Sequence, residues 1–563
     1  MYHQGNAQTR IGRRKQIVLA MGIALGLATT QSLAGPSGAT VSQRYNDGPA
    51  AALIRHAAEA GIAVPADLPL YMERLAKQKA KKPPATPKAT IQVTNCNNSG
   101  SGSLRAAVGF ASSGDVVDMS GLNCNITLTS SIVTSVNNLT LKGNPDNKYG
   151  ISGGNSIRPL NHTGTGQLTL DGVIVRHGRV TSNSASLRGG CVLSQGSVEL
   201  TNQAQVKYCE LRNTATTGSP VTEGGAIFAA DTVTIVDGGR VANSTATSLT
   251  GTVQGGGIRA PFVNLSGGLI ELNTARITGD GTFASGGGIH ADSIMGKYSV
   301  VRRNNVVVSG SASAVSALAG GIEITGDGSS AIKYSTLNNN TVNAEGASFG
   351  GGAAIVFGTS SQTGDFEMKS STIANNSTSN STKYGGAMSL RKNATIRSST
   401  ISGNTEKNAG DNKYGAGITL NDGVTLTMTS SIIGGNHLIS SAGGGTQLMS
   451  DLGLQSPGND SATVVGTQNF RNWIDSDITW PAGNIGGLNS VRLGSLRDNG
   501  GLTQTMMPNA DSPVIDEGGT TGLTGGVDQR GEGFPRVIGT QADIGAVEWR
   551  LVPEIFEDGF ESD

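Results

Sequence analysis

Short runs of alternating polarity, such as Val233-Thr234-Ile235-Val236 and Val424-Thr425-Leu426-Thr427-Met428, recur along much of the chain. Each is too short, and too poor in Ala, Glu and Lys, for a helix pair, so the pattern predicts strands. A glycine pair leading into an aliphatic residue opens each unit. It stands at Gly189-Gly190-Cys191-Val192, Gly224-Gly225-Ala226-Ile227, Gly256-Gly257-Ile258, Gly287-Gly288-Ile289 and Gly320-Gly321-Ile322. It continues less regularly at Gly351-Gly352-Ala353-Ala354-Ile355, Gly385-Gly386-Ala387-Met388 and Gly415-Ala416-Gly417-Ile418. An aliphatic residue followed by Asn trails each opening: Leu211…Asn213, Ile270…Asn273, Leu337…Asn339, Ile373…Asn375, Ile401…Asn404 and Ile432…Asn436. A fixed period of roughly 30–35 residues built from strands predicts an all-β solenoid, a right-handed parallel β-helix with one rung per repeat. Ile227, Ile258, Ile289 and Ile322 then form one internal column at the inter-strand spacing of roughly 4.8 Å. The repeated Asn suits an amide ladder at another corner, a scaffold role.

Composition sharpens that reading. The 563 residues include 83 glycines, with only 4% aromatic and 15% charged residues. Glycine reaches the φ > 0 corners of a solenoid without a Cβ penalty, while the recurrent aliphatic positions exclude a disordered chain. Forty-one basic residues balance 41 acidic ones, and no basic stripe is visible along the sequence, which argues against nucleic acid.

The flanks set the domain order. Arg10, Arg13, Arg14 and Lys15 precede an apolar stretch from Ile17 to Ala28, and Ser32-Leu33-Ala34 offers a small-x-small cleavage site. Residues 1–34 therefore read as an export signal, and no other apolar stretch is a membrane-span candidate. Residues 35–80 read as a short helical segment, 81–90 as a Pro/Lys linker, and 91–490 as the solenoid with its cap. Leu104, Ala107, Val108 and Ala111, following Ser103, suit a short amphipathic lid over the first rung. Four cysteines fit an exported chain and allow three pairings. Cys96–Cys124 and Cys191–Cys209 each close a local loop and are preferred; the second pair alternatively forms buried free thiols.

Other segments carry a resemblance. Val93-Thr94-Asn95-Cys96-Asn97, Gly102-Ser103-Leu104-Arg105 and Gly121-Leu122-Asn123-Cys124-Asn125-Ile126-Thr127-Leu128 resemble the entry segment of secreted bacterial β-helix proteins. Leu496-Arg497-Asp498-Asn499-Gly500-Gly501, Asp511-Ser512-Pro513-Val514-Ile515-Asp516, Asp528-Gln529-Arg530-Gly531 and Asp543-Ile544-Gly545-Ala546-Val547-Glu548 resemble, in order, the choice-of-anchor Q domain. That domain is a C-terminal module of surface and secreted bacterial proteins, which assigns 491–549 to the C-terminal end of the solenoid. The glycine and Ile…Asn markers are similar to polymorphic outer-membrane protein repeats, although those favour Phe before the Asn. The tail 550–563, with Ile555-Phe556-Glu557-Asp558-Gly559-Phe560-Glu561, resembles short sorting signals of secreted proteins from Gram-negative bacteria. The resemblances together imply a protein at the surface of, or secreted by, such a cell; the chain is expected to be a monomer.

Candidate chemistry lies on outward positions. One residue past the aliphatic column stand Arg259, His290 and Glu323, with Asp292 nearby. An arginine for a sugar carboxylate, an imidazole and carboxylates are the groups of uronate elimination or acid–base hydrolysis; the same residues equally make a solvated strand face. Phe349, Tyr384 and Tyr414 each precede a glycine corner and suit either a carbohydrate-stacking platform or a packing stack. No cofactor motif and no metal-ligand spacing stands out. The sequence thus favours a non-catalytic adhesion or glycan-binding scaffold, with a polysaccharide lyase or glycoside hydrolase as the alternative.

Overall fold

The computed structural model describes residues 89–550, apart from 147–148, 310–314, 346–348, 360–363, 380–384, 409–413, 441–444, 457, 459, 488–489 and 520–525. The export signal, the helical segment, most of the linker and the tail expected from sequence lie outside the described residues.

One order of strands recurs rung after rung. From Val192, strands Val192–Ser194 and Ser197–Thr201 belong to a front sheet and Gln205–Lys207 to a rear sheet. Glu210–Asn213 and Val221–Glu223 then belong to two further sheets, which form an arm beside the barrel of the solenoid. Gly224-Gly225 next turns the chain into the following rung at Ile227. The turn needs glycine: Gly224 has φ +68°, and a Cβ on Gly225 would overlap the Gly256 carbonyl oxygen of the next rung. The paired strands are parallel from rung to rung, except where His437–Ser440 meets Thr446–Met449 antiparallel at the end of the arm. The fold is the parallel β-solenoid that the repeats predict.

Parallel pairing stacks like on like, so one aliphatic position per rung builds a continuous core. Val192, Ile227, Ile258, Ile289, Ile322 and Ile355 pair in succession, and each is 0% exposed. Val198, Val233 and Val263 do the same on the second front strand, while Val206, Val241 and Ile270 face them from the rear sheet. A separate small-residue core, including Ala246, Ala275, Val306 and Ala317, fills the arm.

At the corner between the rear sheet and the arm, side-chain amides form a ladder. Each Asn Nδ2 donates to the Oδ1 of the next rung, from Asn273 through Asn304, Asn340, Asn376 and Asn404 to Asn436, at 2.8–3.1 Å. Three Asn differ from the sequence expectation. Asn339 and Asn375 take the turn itself at φ +55° and +58°, and the residue after each points inward to bond. Asn213 lies on an arm strand, and its amide donates to Ser184 O. Asp451 ends the ladder. Its buried carboxylate accepts from the side chain and backbone of Asn436 and from the backbone N–H groups of Asn472 and Trp473. A second ladder joins Ser299, Ser335, Ser371, Ser399 and Ser431, each backbone N–H donating to the next hydroxyl.

The front end is closed by α1, Leu104–Phe110, which buries Leu104, Ala107 and Val108. Ser103 caps it, accepting from Ala106 N at 3.2 Å, and Ala111 falls just past its end. This cap is a single short helix. Both preferred disulfides are present, Cys96–Cys124 and Cys191–Cys209. Replacing Cys191 and Cys209 together with Ala should lower stability by about 3 kcal/mol, given the 18-residue separation. An unfolding midpoint equal to that of the parent in oxidising buffer would contradict this.

The described residues of 491–549 lie along the outer face of the rear sheet. Thr336, Thr372 and Thr400 stack outward there, because Leu337, Ile373 and Ile401 point into the core. Gln529, fully buried, donates from Nε2 to Thr336 Oγ1 at 2.8 Å and accepts from Thr372 Oγ1 at 2.6 Å. Ala546 N donates to Thr400 Oγ1 and Gly519 N to Ser430 Oγ, so the segment spans several rungs.

Candidate functional site

The four ionisable candidates lie in the crook where the arm returns to the front sheet. Two columns face each other there. One is the outward position next to the aliphatic column: Phe228, Arg259, His290, Glu323 and Val356 in succession. The other ends the last arm strand, four residues before the aliphatic column: Arg188, Glu223, Gln254, Ser285 and Leu318. The arm strands cover the outward face of the front sheet at these rungs.

The four sequence candidates fall into two groups. Arg259 Nη2 lies 3.1 Å from Asp292 Oδ1, and its Nε lies 3.6 Å from Glu223 Oε1. Glu223 also receives Arg188 Nε at 2.6 Å, while the Arg188 guanidinium sits over the Phe228 ring at 4.6 Å. One rung on, His290 Nδ1 stands 2.9 Å from Glu323 Oε2 and 2.9 Å from Ser285 Oγ. His290 is 3% and Glu323 2% exposed, so the solvated strand face considered from sequence is not what forms here; the arm buries both.

This geometry limits the chemistry. In a nucleophile–base–acid relay the hydroxyl and the carboxylate meet opposite ring nitrogens. Here Ser285 and Glu323 both meet Nδ1, so no proton path runs through the imidazole between them. Burial raises the Glu323 carboxyl, but the charge of His290 and hydrogen bonds from His290 and Ser285 outweigh it and hold it below the usual carboxylate range. Glu323 is therefore an ionised partner, the wrong protonation state for a general acid near neutral pH. By sign, a depressed folded-state carboxyl contributes stability above its ordinary value of 4.5 and loses it as pH falls through the folded value. Glu323→Gln should remove this part of the acid limb, which a series of denaturation midpoints across acid pH measures. An unaltered acid limb would contradict the ion pair.

Of the aromatic stripe, Phe349 and Tyr414 do not share one register position. Tyr414 lies four residues before Ile418 and is 7% exposed, with its carbonyl accepting from Thr419 Oγ1 at 2.7 Å. Phe349 begins the strand Phe349–Gly351 and pairs with Ser316, six residues before Ile355. The position matching Tyr414 on that rung is Gly351, so Phe349 is out of register with it. The Phe349 side chain and Tyr384 lie outside the described residues.

Sequence reasoning missed Glu223 and Ser285, which complete the two groups. Their signal was present: each stands four residues before the column residue of its rung, Ile227 and Ile289. No protein-family model matches the chain, and no curated protein or solved structure matches it.

Proposed function

We propose that this chain is an exported or cell-surface β-helix scaffold that binds glycan or a surface polymer without cleaving it. The observation that carries the reading is the self-engagement of its acid–base residues. His290 and Glu323 are paired and buried beneath the arm, and Arg259 is held between Asp292 and Glu223. A lyase or hydrolase needs such groups open to a sugar, with one carboxyl protonated or one base free.

Export is supported by the basic-then-apolar N-terminus with Ser32-Leu33-Ala34, and by two disulfides, which persist in oxidising compartments. Among the described residues no helix is long and apolar enough to cross a membrane. The ordered series from Leu496 to Glu548 supports a choice-of-anchor Q-like module at 491–549, and the tail 550–563 supports sorting to a Gram-negative surface. The glycan reading leaves the fold's long outer face, and not the buried crook, as the contact surface.

The test is a panel of soluble polysaccharides presented to the purified full chain, with retention and cleavage scored on the same samples. Retention without shortening of the polymer is expected. Release of unsaturated or reducing ends, lost in His290→Ala, would overturn the non-catalytic reading and establish the lyase or hydrolase alternative.

A further inference from the structure

At several places on the solenoid, stacked charges alternate in sign, although Arg176 pairs directly with Lys207 on the rear sheet. Lys142 pairs in register with Asp171 and lies 3.3 Å from Asp118; Arg179 faces Glu210 at 3.2 Å; Glu271 receives both Arg240 and Arg302. The second front strand carries a longer like-charge run, over four consecutive rungs. Lys297, Lys333, Lys369 and Arg397 pair directly with one another and point outward. Like charges stacked at strand spacing, roughly 4.8 Å, are mutually destabilising.

The ladder is scarcely neutralised. Lys333 Nζ meets Glu367 Oε2 at 2.5 Å, and Lys297 lies over the Tyr298 ring at 4.9 Å and near the Tyr334 ring at 5.9 Å. Among the described residues Lys369 and Arg397 have no carboxylate partner. Beside the ladder runs a groove of about 500 Å³ whose lining includes the cations Lys333 and Arg397, the carboxylates Asp365 and Glu367, and Met295 and Thr395. Its floor is flat sheet, on which exposed Met295, buried Ala331, Glu367 (the carboxylate that meets Lys333) and part-exposed Thr395 are successive register partners. No basic stripe was visible in the sequence because these four residues lie 36, 36 and 28 positions apart.

We propose that this ladder and its groove bind one chain of a linear acidic polysaccharide, with successive carboxylates facing Lys297, Lys333, Lys369 and Arg397. This rests on the glycan-binding reading and names its ligand class and site. A polymer carrying one anion per sugar offers a regular row of charges along the solenoid axis, which a row of cations one rung apart can follow. The polymer replaces the missing counter-charge, so binding relieves repulsion already present in the folded chain. Single-stranded nucleic acid fits less well, because sequence-tolerant binding relies on aromatic faces that accept bases. The two rings here, Tyr298 and Tyr334, stack on each other at 5.0 Å.

The full chain is titrated with sodium polygalacturonate, with its fully methyl-esterified form and with oligodeoxythymidine, at several salt concentrations. Three forms are compared: parent, Lys369→Gln/Arg397→Gln, and Val465→Gln as an outward control on the same sheet. Polygalacturonate should bind the parent with an affinity that falls steeply with salt, and the double variant should lose about tenfold or more. The esterified form should bind much more weakly. The double variant should also unfold at an equal or higher temperature, because a repulsion has been removed; this separates lost binding from lost fold. Retention of polygalacturonate unchanged in the double variant would overturn the ladder while leaving glycan binding intact. Retention of neutral glycans alone would do the same. Ladder-dependent retention of oligodeoxythymidine in place of polygalacturonate would overturn the ligand class. Retention of no polymer, extended to the whole panel, would overturn both this inference and the function on which it rests.

Discussion

Ile289→Asp should abolish the native solenoid around its rung, with a loss beyond about 4 kcal/mol. Ile289 is 0% exposed and packed in register between Ile258 and Ile322, so the carboxylate would have neither water nor a cation. Two costs add: the aliphatic contacts of the column are lost, and an unpaired charge is buried. Because each rung is the template for the next, the damage should spread to Ile258–Ser266 and Ile322–Ile324. Hydrogen exchange resolves this, with protection lost in those strands first. Val465→Asp, outward and 38% exposed on the front sheet, is the control and should shift the denaturation midpoint little. Equal midpoints for Ile289→Asp and the parent would mean that the column does not hold the rungs together.

That column was legible because parallel stacking turns a spacing in sequence into a contact in space. The glycine pair marks the corner, and the residue two or three places later must be internal on every rung. The amide ladder was half legible for the same reason. Asn404 and Asn436 are ladder residues as they stand; at Asn339-Asn340 and Asn375-Asn376 the φ > 0 turn takes an Asn and the ladder residue is the next one. The serine ladder carried the same doubled signal at Ser370-Ser371, Ser398-Ser399 and Ser430-Ser431, with weaker chemistry to announce it.

The candidate site was legible in its members and misjudged in its surroundings. Counting one residue past the column placed Arg259, His290 and Glu323 on adjacent strands. It could not reveal the arm, because the arm is made of the variable stretch between the Asn corner and the next glycine pair. The strands of that stretch pair among themselves and close over His290 and Glu323. The flank position of 491–549 was hidden for a related reason. Its contacts join residues as far apart as Ser335 and Gln529, and no local pattern encodes a contact of that range.

The second large effect belongs to that flank. Arg536 is 1% exposed, and its guanidinium lies 3.6 Å from Glu548 Oε2, in the field of Asp528 and Asp543. Asp528 is clasped by Arg530, which leaves Arg536 as the cation that offsets Glu548 and Asp543. Burial pushes the Glu548 carboxyl up to about 7, with the charge of Asp543 adding to the rise and Arg536 opposing it. The sign follows from linkage. A carboxyl whose folded value lies above its ordinary 4.5 binds its proton more tightly in the folded chain. Its contribution therefore favours folding at acid pH and is lost as pH rises from about 4.5 to about 7, on the order of 3 kcal/mol in all. Arg536→Met keeps the volume and removes the cation, so it should cost about 3–5 kcal/mol where Glu548 is ionised. At pH near 5 Glu548 can take up a proton, and the penalty should shrink markedly. Denaturation of parent and variant at pH 5 and pH 8 measures the difference, with hydrogen exchange at Ala546 and Gly519 reporting whether the flank detaches from the rear sheet. A penalty of the same size at both pH values would mean that Arg536 acts through packing alone and that the carboxylates it faces are not the reason it is buried there.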